Sequence, residues 1–155
     1  MLLKITEELP LDAPRDEVWK LLRDTPRLTA LLPGVESVTS LNEAGVEAYS
    51  AKASDKVGPF KITMNIEVRI TEATEPSRLK AAIKGADSMG LNRMTGSLQV
   101  SLSAASPGTK MYFEVSIEIL GKLATLGAVP IRRRTAQVFT EFAQNIQAEF
   151  AKEPS

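Results

Sequence analysis

Neither cysteine nor histidine occurs among the 155 residues of this chain. The first absence excludes disulfides, thiolate nucleophiles and the usual zinc sites, and the second removes the side chain best suited to proton transfer near neutral pH. Aromatic residues make up only 5% of the chain, with a single tryptophan, so a core has to be built mainly from aliphatic and small side chains. A surplus of either charge is missing too. Nineteen basic residues balance nineteen acidic ones, which leaves no overall electrostatic footprint for nucleic acid or an anionic surface, and any charged partner has to be met locally. No apolar run approaches the roughly 18 residues of a membrane-spanning helix, and the opening "MLLKITEELP" lacks the apolar core of a signal peptide. These two features lead us to expect a soluble, cytoplasmic protein.

What is present is periodicity. Residues 2 to 9 alternate loosely as a strand closed by Pro10, and "DAPRDEVWKLLRD" follows as a helix. Asp12 or Ala13 is expected at its cap and Pro14 in its first turn, with Asp16 and Glu17 matched to the helix dipole. Thr25 and Pro26 open a second short helix expected to run to Leu32, where Pro33 and Gly34 stop it. From Glu36 to about Leu120 the period becomes two. In "KITMNIEVRI", Ile62, Met64, Ile66, Val68 and Ile70 share one face, and the alternation recurs through Met94, Leu98, Val100 and Leu102 and again through Met111, Phe113, Val115, Ile117 and Ile119. Turn residues divide this region into about six strands joined by hairpin-length connections, so the sheet is expected to be antiparallel. Ile131, Val138, Phe139, Phe142, Ile146 and Phe150 then recur at helical spacing, predicting a helix from about residue 130 to 151 that covers the apolar face. A single domain over residues 1–151 is expected, with "KEPS", 152–155, as a disordered tail.

The order of strand, two short helices, about six further strands and one long helix is that of the α+β helix-grip fold, in which a curved antiparallel sheet of about seven strands wraps a C-terminal helix. In "LPGVESV" (32–38), "KVGPFKITMNIEVRI" (56–70), "SPGTKMYFEVSIEILGKLATLG" (106–127) and "AQVFTEFAQNI" (136–146), the chain resembles the CoxG family of carbon monoxide dehydrogenase subunits, within the START and polyketide-cyclase (SRPBCC) superfamily. The resemblance covers nearly the whole chain. It departs from the family at Ala128-Val129-Pro130, where members run straight into the helix, and at Ser155, where it ends without the C-terminal extension that some members carry. Membrane attachment through such a tail is accordingly not expected. The resemblance implies a non-enzymatic accessory of a molybdenum-containing carbon monoxide dehydrogenase-type enzyme, acting in maturation, membrane recruitment or electron-acceptor delivery.

No catalytic constellation and no metal or cofactor motif emerges. Lys52, Tyr49, Asp87 and Arg93 are the titratable side chains expected near the cavity, and each is more simply read as a solvated or hairpin residue. The apolar set points to a ligand. Few aromatics and recurring Ala51, Ala53, Ala81, Gly85 and Gly96 leave a curved sheet short of bulk, and polarizable Met side chains suit a promiscuous apolar site, although each Met taken alone reads as core filling. We expect a pocket for a lipid or isoprenoid quinone lined by Met64, Ile66, Met94, Gly96, Leu98, Val115 and Ile117 on the sheet, and by Val138, Phe139 and Phe142 on the helix. Gly96 is expected to tolerate a phenylalanine that fills it. Leu123 and Leu126 lie in "GKLATLG", read as a structural turn or, alternatively, a gate over the cavity. The triplet Arg132-Arg133-Arg134 sits at the helix N-terminus, the unfavourable end for cations. Helical geometry puts Arg132 and Arg134 on the two flanks of the apolar stripe, where they are expected to meet a ligand head group, a partner or a membrane surface, and Arg133 on the far side. The competing readings are a protein-interaction module with a vestigial cavity and a cyclase- or aromatase-like enzyme. Peripheral contact with the inner membrane face is expected, and nucleic acid is not.

Overall fold

A computed structural model describes residues 1–41, 45–57, 59–105 and 107–151, with the side chains of Phe60 and Leu126 outside the description. The tail at 152–155 therefore lies outside the described residues. The elements run β1 (Leu2–Leu11), α1 (Arg15–Arg23), α2 (Thr25–Thr29), β2 (Val35–Ser40), β3 (Ala48–Val57), β4 (Phe60–Thr74), β5 (Arg78–Ala86), β6 (Asn92–Ala104), β7 (Thr109–Gly121), a 3-10 turn (Lys122–Leu126) and α3 (Ala128–Ala151). The strands form one antiparallel sheet in the order β1-β7-β6-β5-β4-β3-β2. The expected helix-grip arrangement of seven strands, two short helices and a long C-terminal helix is the one observed.

Local chemistry explains most of the boundaries and corrects two of them. Pro14 itself occupies the cap of α1, its carbonyl accepting from the N–H groups of Glu17 at 3.0 Å and Val18 at 3.2 Å. The start thus falls one or two residues later than the sequence suggests. Helix α2 is capped by Asp24, whose carboxylate accepts the Arg27 N–H at 3.3 Å, and it ends at Thr29 instead of Leu32. Ala128-Val129-Pro130 is the first turn of α3, where the missing proline N–H has no helical acceptor to lose.

Antiparallel pairing gives the sheet two distinct ends. At one end α1 presses Val18, Leu21 and Leu22 into the main core with Leu79, Leu102 and Phe113. The other end collects the β3–β4 and β5–β6 turns, the 3-10 turn and the start of α3, and holds only a small cluster of Leu3, Val57, Ile119 and Ile131. Helix α3 buries Ile131, Ala143, Ile146 and Phe150, with Phe139 and Phe142 packed against the main core. Phe113, Phe139 and Phe142 form a trio with ring centroids 6.0 to 6.3 Å apart, fastening the middle of the helix to β7.

Gly96 overturns one expectation. A Cβ there would collide with the Ser116 carbonyl oxygen and lie 3.0 Å from the Ile117 Cα. The missing side chain is taken up by the backbone of β7 approaching closely, so the position offers no space for a phenylalanine.

Candidate functional site

The concave face between sheet and α3 is built from inward positions that alternate along each strand. Ala51, Ala53, Ala81, Gly85 and Gly96 all lie on this face, opposite or beside Ile66, Met94 and Leu98. Small residues on the inner side of the sheet leave this face short of side-chain bulk. Ile66, Met94, Leu98 and Ile117 remain partly accessible, as do Val138, Phe139 and Phe142 on the helix. Met64 and Val115, by contrast, are buried and belong to packed core. Of the remaining sequence-selected residues, Leu123 is half-buried against the small end cluster, and the side chain of Leu126 lies outside the described residues.

The arginine triplet divides. Arg134 lays its guanidinium on Asp55 of β3, Nε at 3.0 and 2.9 Å from the two carboxylate oxygens and Nη2 at 2.8 Å from one, with Nη1 donating to Gln137 Oε1 at 3.4 Å. The hydrogen bond to Asp55 raises the guanidinium pKa further, against the opposing effect of burial. Arg134 therefore has an intramolecular partner at the rim of the concave face, while Arg132 and Arg133 are exposed and make no ion pair among the described residues. Sequence reasoning misses Asp55, although the alternation in "AYSAKASDKV" puts it on the inner face with Tyr49, Ala51 and Ala53. An inward carboxylate in a strand of small residues is a signal that a cation must reach it.

The acid-base candidates are dispersed. Lys52 and Arg93 occupy outward positions, and Lys52 stands 3.8 Å from Glu36. Tyr49 points inward but donates to Glu47 Oε2 at 2.7 Å, and Glu47 also takes Arg23 Nη2 at 2.6 Å. Burial pushes the Tyr49 phenol up and its bond to Glu47 adds to this, against the opposing effect of a hydrogen bond with Thr25. Burial also pushes Glu47 up, but the bonds from Arg23 and Tyr49 outweigh it and hold the carboxyl below its ordinary value. Tyr49 and Arg23 wall an open groove of about 570 Å³ with Trp19, Asp24 and Pro26, at the β3 side of α1. Asp87 caps the β5–β6 turn, accepting from the Leu91 N–H and the Asn92 side-chain amide, each at 2.8 Å. These bonds depress its pKa despite the opposing effect of partial burial. None of these groups is poised as a general base. Among the described residues no cluster of carboxylates fit to hold a metal ion occurs, and no helix is long and apolar enough to cross a membrane.

The end of the molecule near the start of α3 has an unusual surface. Leu2, Met89 and Val129 are 63%, 78% and 64% exposed, and Leu91 and Leu120 are about half exposed. Lys56, Lys61, Arg93, Lys122, Arg132 and Arg133 lie on the elements that meet there, without an ion pair among the described residues.

Residues 8–151 match the family described as the CoxG subunit of carbon monoxide dehydrogenase. No curated protein matches the chain. Among solved structures, a conserved protein from Geobacillus kaustophilus is similar at 22% identity and a TM-score of 0.83, over 97% of this chain and 96% of that one. Ara h 8.0201 is similar at 16% identity and a TM-score of 0.69, over 99% and 100% of the two chains. The di-domain ARO/CYC protein BexL of the BE-7585A biosynthetic pathway is similar at 18% identity and a TM-score of 0.64, over 99% of this chain and 51% of its own. At these identities the likeness is one of fold.

Proposed function

Because the chain belongs to the CoxG family of carbon monoxide dehydrogenase subunits, we propose that it is a non-enzymatic carrier of one apolar or amphipathic molecule, a lipid or isoprenoid quinone, held between the sheet and α3. The observation that carries this reading is the partly accessible apolar lining formed by Ile66, Leu98, Ile117, Val138, Phe139 and Phe142, with the small Ala51, Ala81, Gly85 and Gly96 opposite or beside its strand members. A packed core of the same composition would bury these residues as completely as it buries Leu21 and Val18. Native mass spectrometry of the purified protein tests it: co-purified lipid or quinone is expected, and a ligand-free protein that also fails to take up an apolar probe would rule the carrier out.

At the rim, Arg134 and Gln137 supply hydrogen-bonding groups for the polar end of such a molecule, and Arg132 lies one step outside them. The family context gives the carrier a client, an enzyme of the carbon monoxide dehydrogenase type with molybdenum, to which it supplies an electron acceptor or a route to the membrane. The exposed Leu2, Met89 and Val129, set among cations without an ion pair among the described residues, support peripheral contact with an anionic lipid surface on the cytoplasmic side. Pull-down of a molybdenum hydroxylase by the tagged protein tests the partnership, and its failure would leave carriage without that client.

A further inference from the structure

The 3-10 turn Lys122–Leu126 roofs one end of the concave face. Its Leu123 and Ala124 pack against the small cluster of Leu3, Val57, Ile119 and Ile131, as do Met94, Ile62 and Ile117, two of which also line the proposed cavity. Its flanks are glycines in backbone conformations that other residues avoid, Gly121 at φ 104° and Gly127 at φ 90°. Around Gly127 a Cβ would meet nothing within 4 Å, so this hinge has room to turn, whereas Gly121 is pressed against the Leu91 carbonyl and fixes the opposite end.

Among the described residues, two hydrogen bonds tie this strap to the rest of the chain, and both go to the β5–β6 turn. The Lys122 N–H donates to the Leu91 carbonyl at 2.9 Å, and the Leu123 N–H donates to Asn92 Oδ1 at 2.6 Å. Asn92 is itself oriented, since its Nδ2 donates to Asp87 Oδ2 at 2.8 Å while Asp87 Oδ1 accepts from Leu91 N–H. One neutral side chain therefore holds the middle of a glycine-hinged strap closed over apolar residues. A buried anchor of many bonds would make the roof permanent; with the Lys122 bond beside the fixed Gly121, one side-chain bond holds Leu123 down and leaves it openable at small cost.

Resting on the carrier reading, we propose that Lys122–Leu126 is the portal through which the apolar ligand enters and leaves, and that Asn92 is the positioning residue that latches it. Opening breaks the Leu123–Asn92 bond and lifts Leu123 and Ala124 between the fixed Gly121 and the freer Gly127, uncovering Met94 and Ile117 without disturbing the strands. The Arg134–Asp55 contact on the β3 rim then acts as a fixed wall and not as the door.

Stopped-flow uptake and release of the fluorescent apolar probe N-phenyl-1-naphthylamine tests the assignment. Asn92→Ala is expected to speed both phases roughly three- to tenfold, the effect of losing one net hydrogen bond, while the equilibrium affinity moves less than about twofold. Asp55→Asn is expected to leave both rates unchanged. Unchanged rates in Asn92→Ala, or faster rates in Asp55→Asn alone, would overturn the portal and move entry to the β3 rim. Should Asn92→Ala fail to fold, hydrogen exchange in the unaltered protein decides: the Leu123 amide is expected to exchange well before that of Ile117, and equal protection would refute an opening strap. Absence of probe binding by the unaltered protein overturns the carrier reading itself, and the portal with it.

Discussion

Arg134 on α3 and Asp55 on β3, 79 residues apart, meet through three hydrogen bonds of 2.8 to 3.0 Å and pin the first half of the helix to the open side of the sheet. Both side chains are about one-third exposed, so solvent screening reduces the worth of the contact well below that of a buried pair. A double-mutant cycle of Arg134→Gln and Asp55→Asn is expected to give a coupling of about 1 kcal/mol that shrinks in high salt. Additive effects of the two substitutions would show that the contact contributes nothing to stability.

The neighbouring arginines are expected to behave differently. Arg133→Gln removes an exposed cation from the unfavourable end of the helix dipole and should leave thermal stability unchanged or raise it by a few tenths of a kcal/mol. A loss in Arg133→Gln as large as that in Arg134→Gln, measured by urea unfolding, would contradict the division of the triplet.

Glu47 makes stability depend on pH in a definite direction. Its carboxyl is depressed in the folded protein by Arg23 and Tyr49. Its contribution is therefore complete above the ordinary carboxylate range, and it is lost as pH falls through the lowered folded value. Thermal melts from about pH 6 down to about pH 3, which span that carboxylate range, should show a steeper fall for the unaltered protein than for Glu47→Gln. Parallel profiles would mean that Glu47 contributes no such linkage.

For filling the cavity, Leu98 replaces Gly96 as the position of choice, since it faces Ala81 across β5 and retains partial exposure. Leu98→Trp is expected to weaken apolar-probe binding at least tenfold with the fold intact by circular dichroism. Gly96→Ala, in contrast, should cost roughly 1–3 kcal/mol through overpacking against Ser116. A Leu98→Trp protein that binds the probe normally would place the ligand elsewhere.

The exposed apolar end is tested with vesicles. Co-sedimentation with vesicles containing phosphatidylglycerol should exceed that with neutral vesicles and fall with salt, and Met89→Asp with Val129→Asp should abolish it. Equal recovery with both vesicle types would remove the electrostatic part of the reading.

Periodicity makes the architecture legible, because a change from period two to period 3.6 follows directly from which face is buried, and no long-range information is needed. Ile146 and Phe142 illustrate this: both turn toward the sheet as their spacing requires. Contacts across the fold are not legible in the same way. Nothing near Arg134 in sequence identifies Asp55, and nothing near Leu123 identifies Asn92, since register between distant elements decides which groups meet. Gly96 shows a third limit: an absent side chain is the same letter whether the space is empty or occupied by neighbouring backbone, and here it is occupied.

The pairing of β1 with β7 has a consequence for how the chain is made. Leu3 lies opposite Ile117, so the sheet strand that is synthesised before the other six has its partner made more than a hundred residues later. Strands β2 to β7 can zip together in order through adjacent hairpins, but β1 and the apolar side of α1 have to wait beside the growing sheet. Long-range closure of this kind slows folding and prolongs the exposure of Val18, Trp19 and Leu21 to aggregation. The first strand of this sheet to be translated is thus among the last to be laid down.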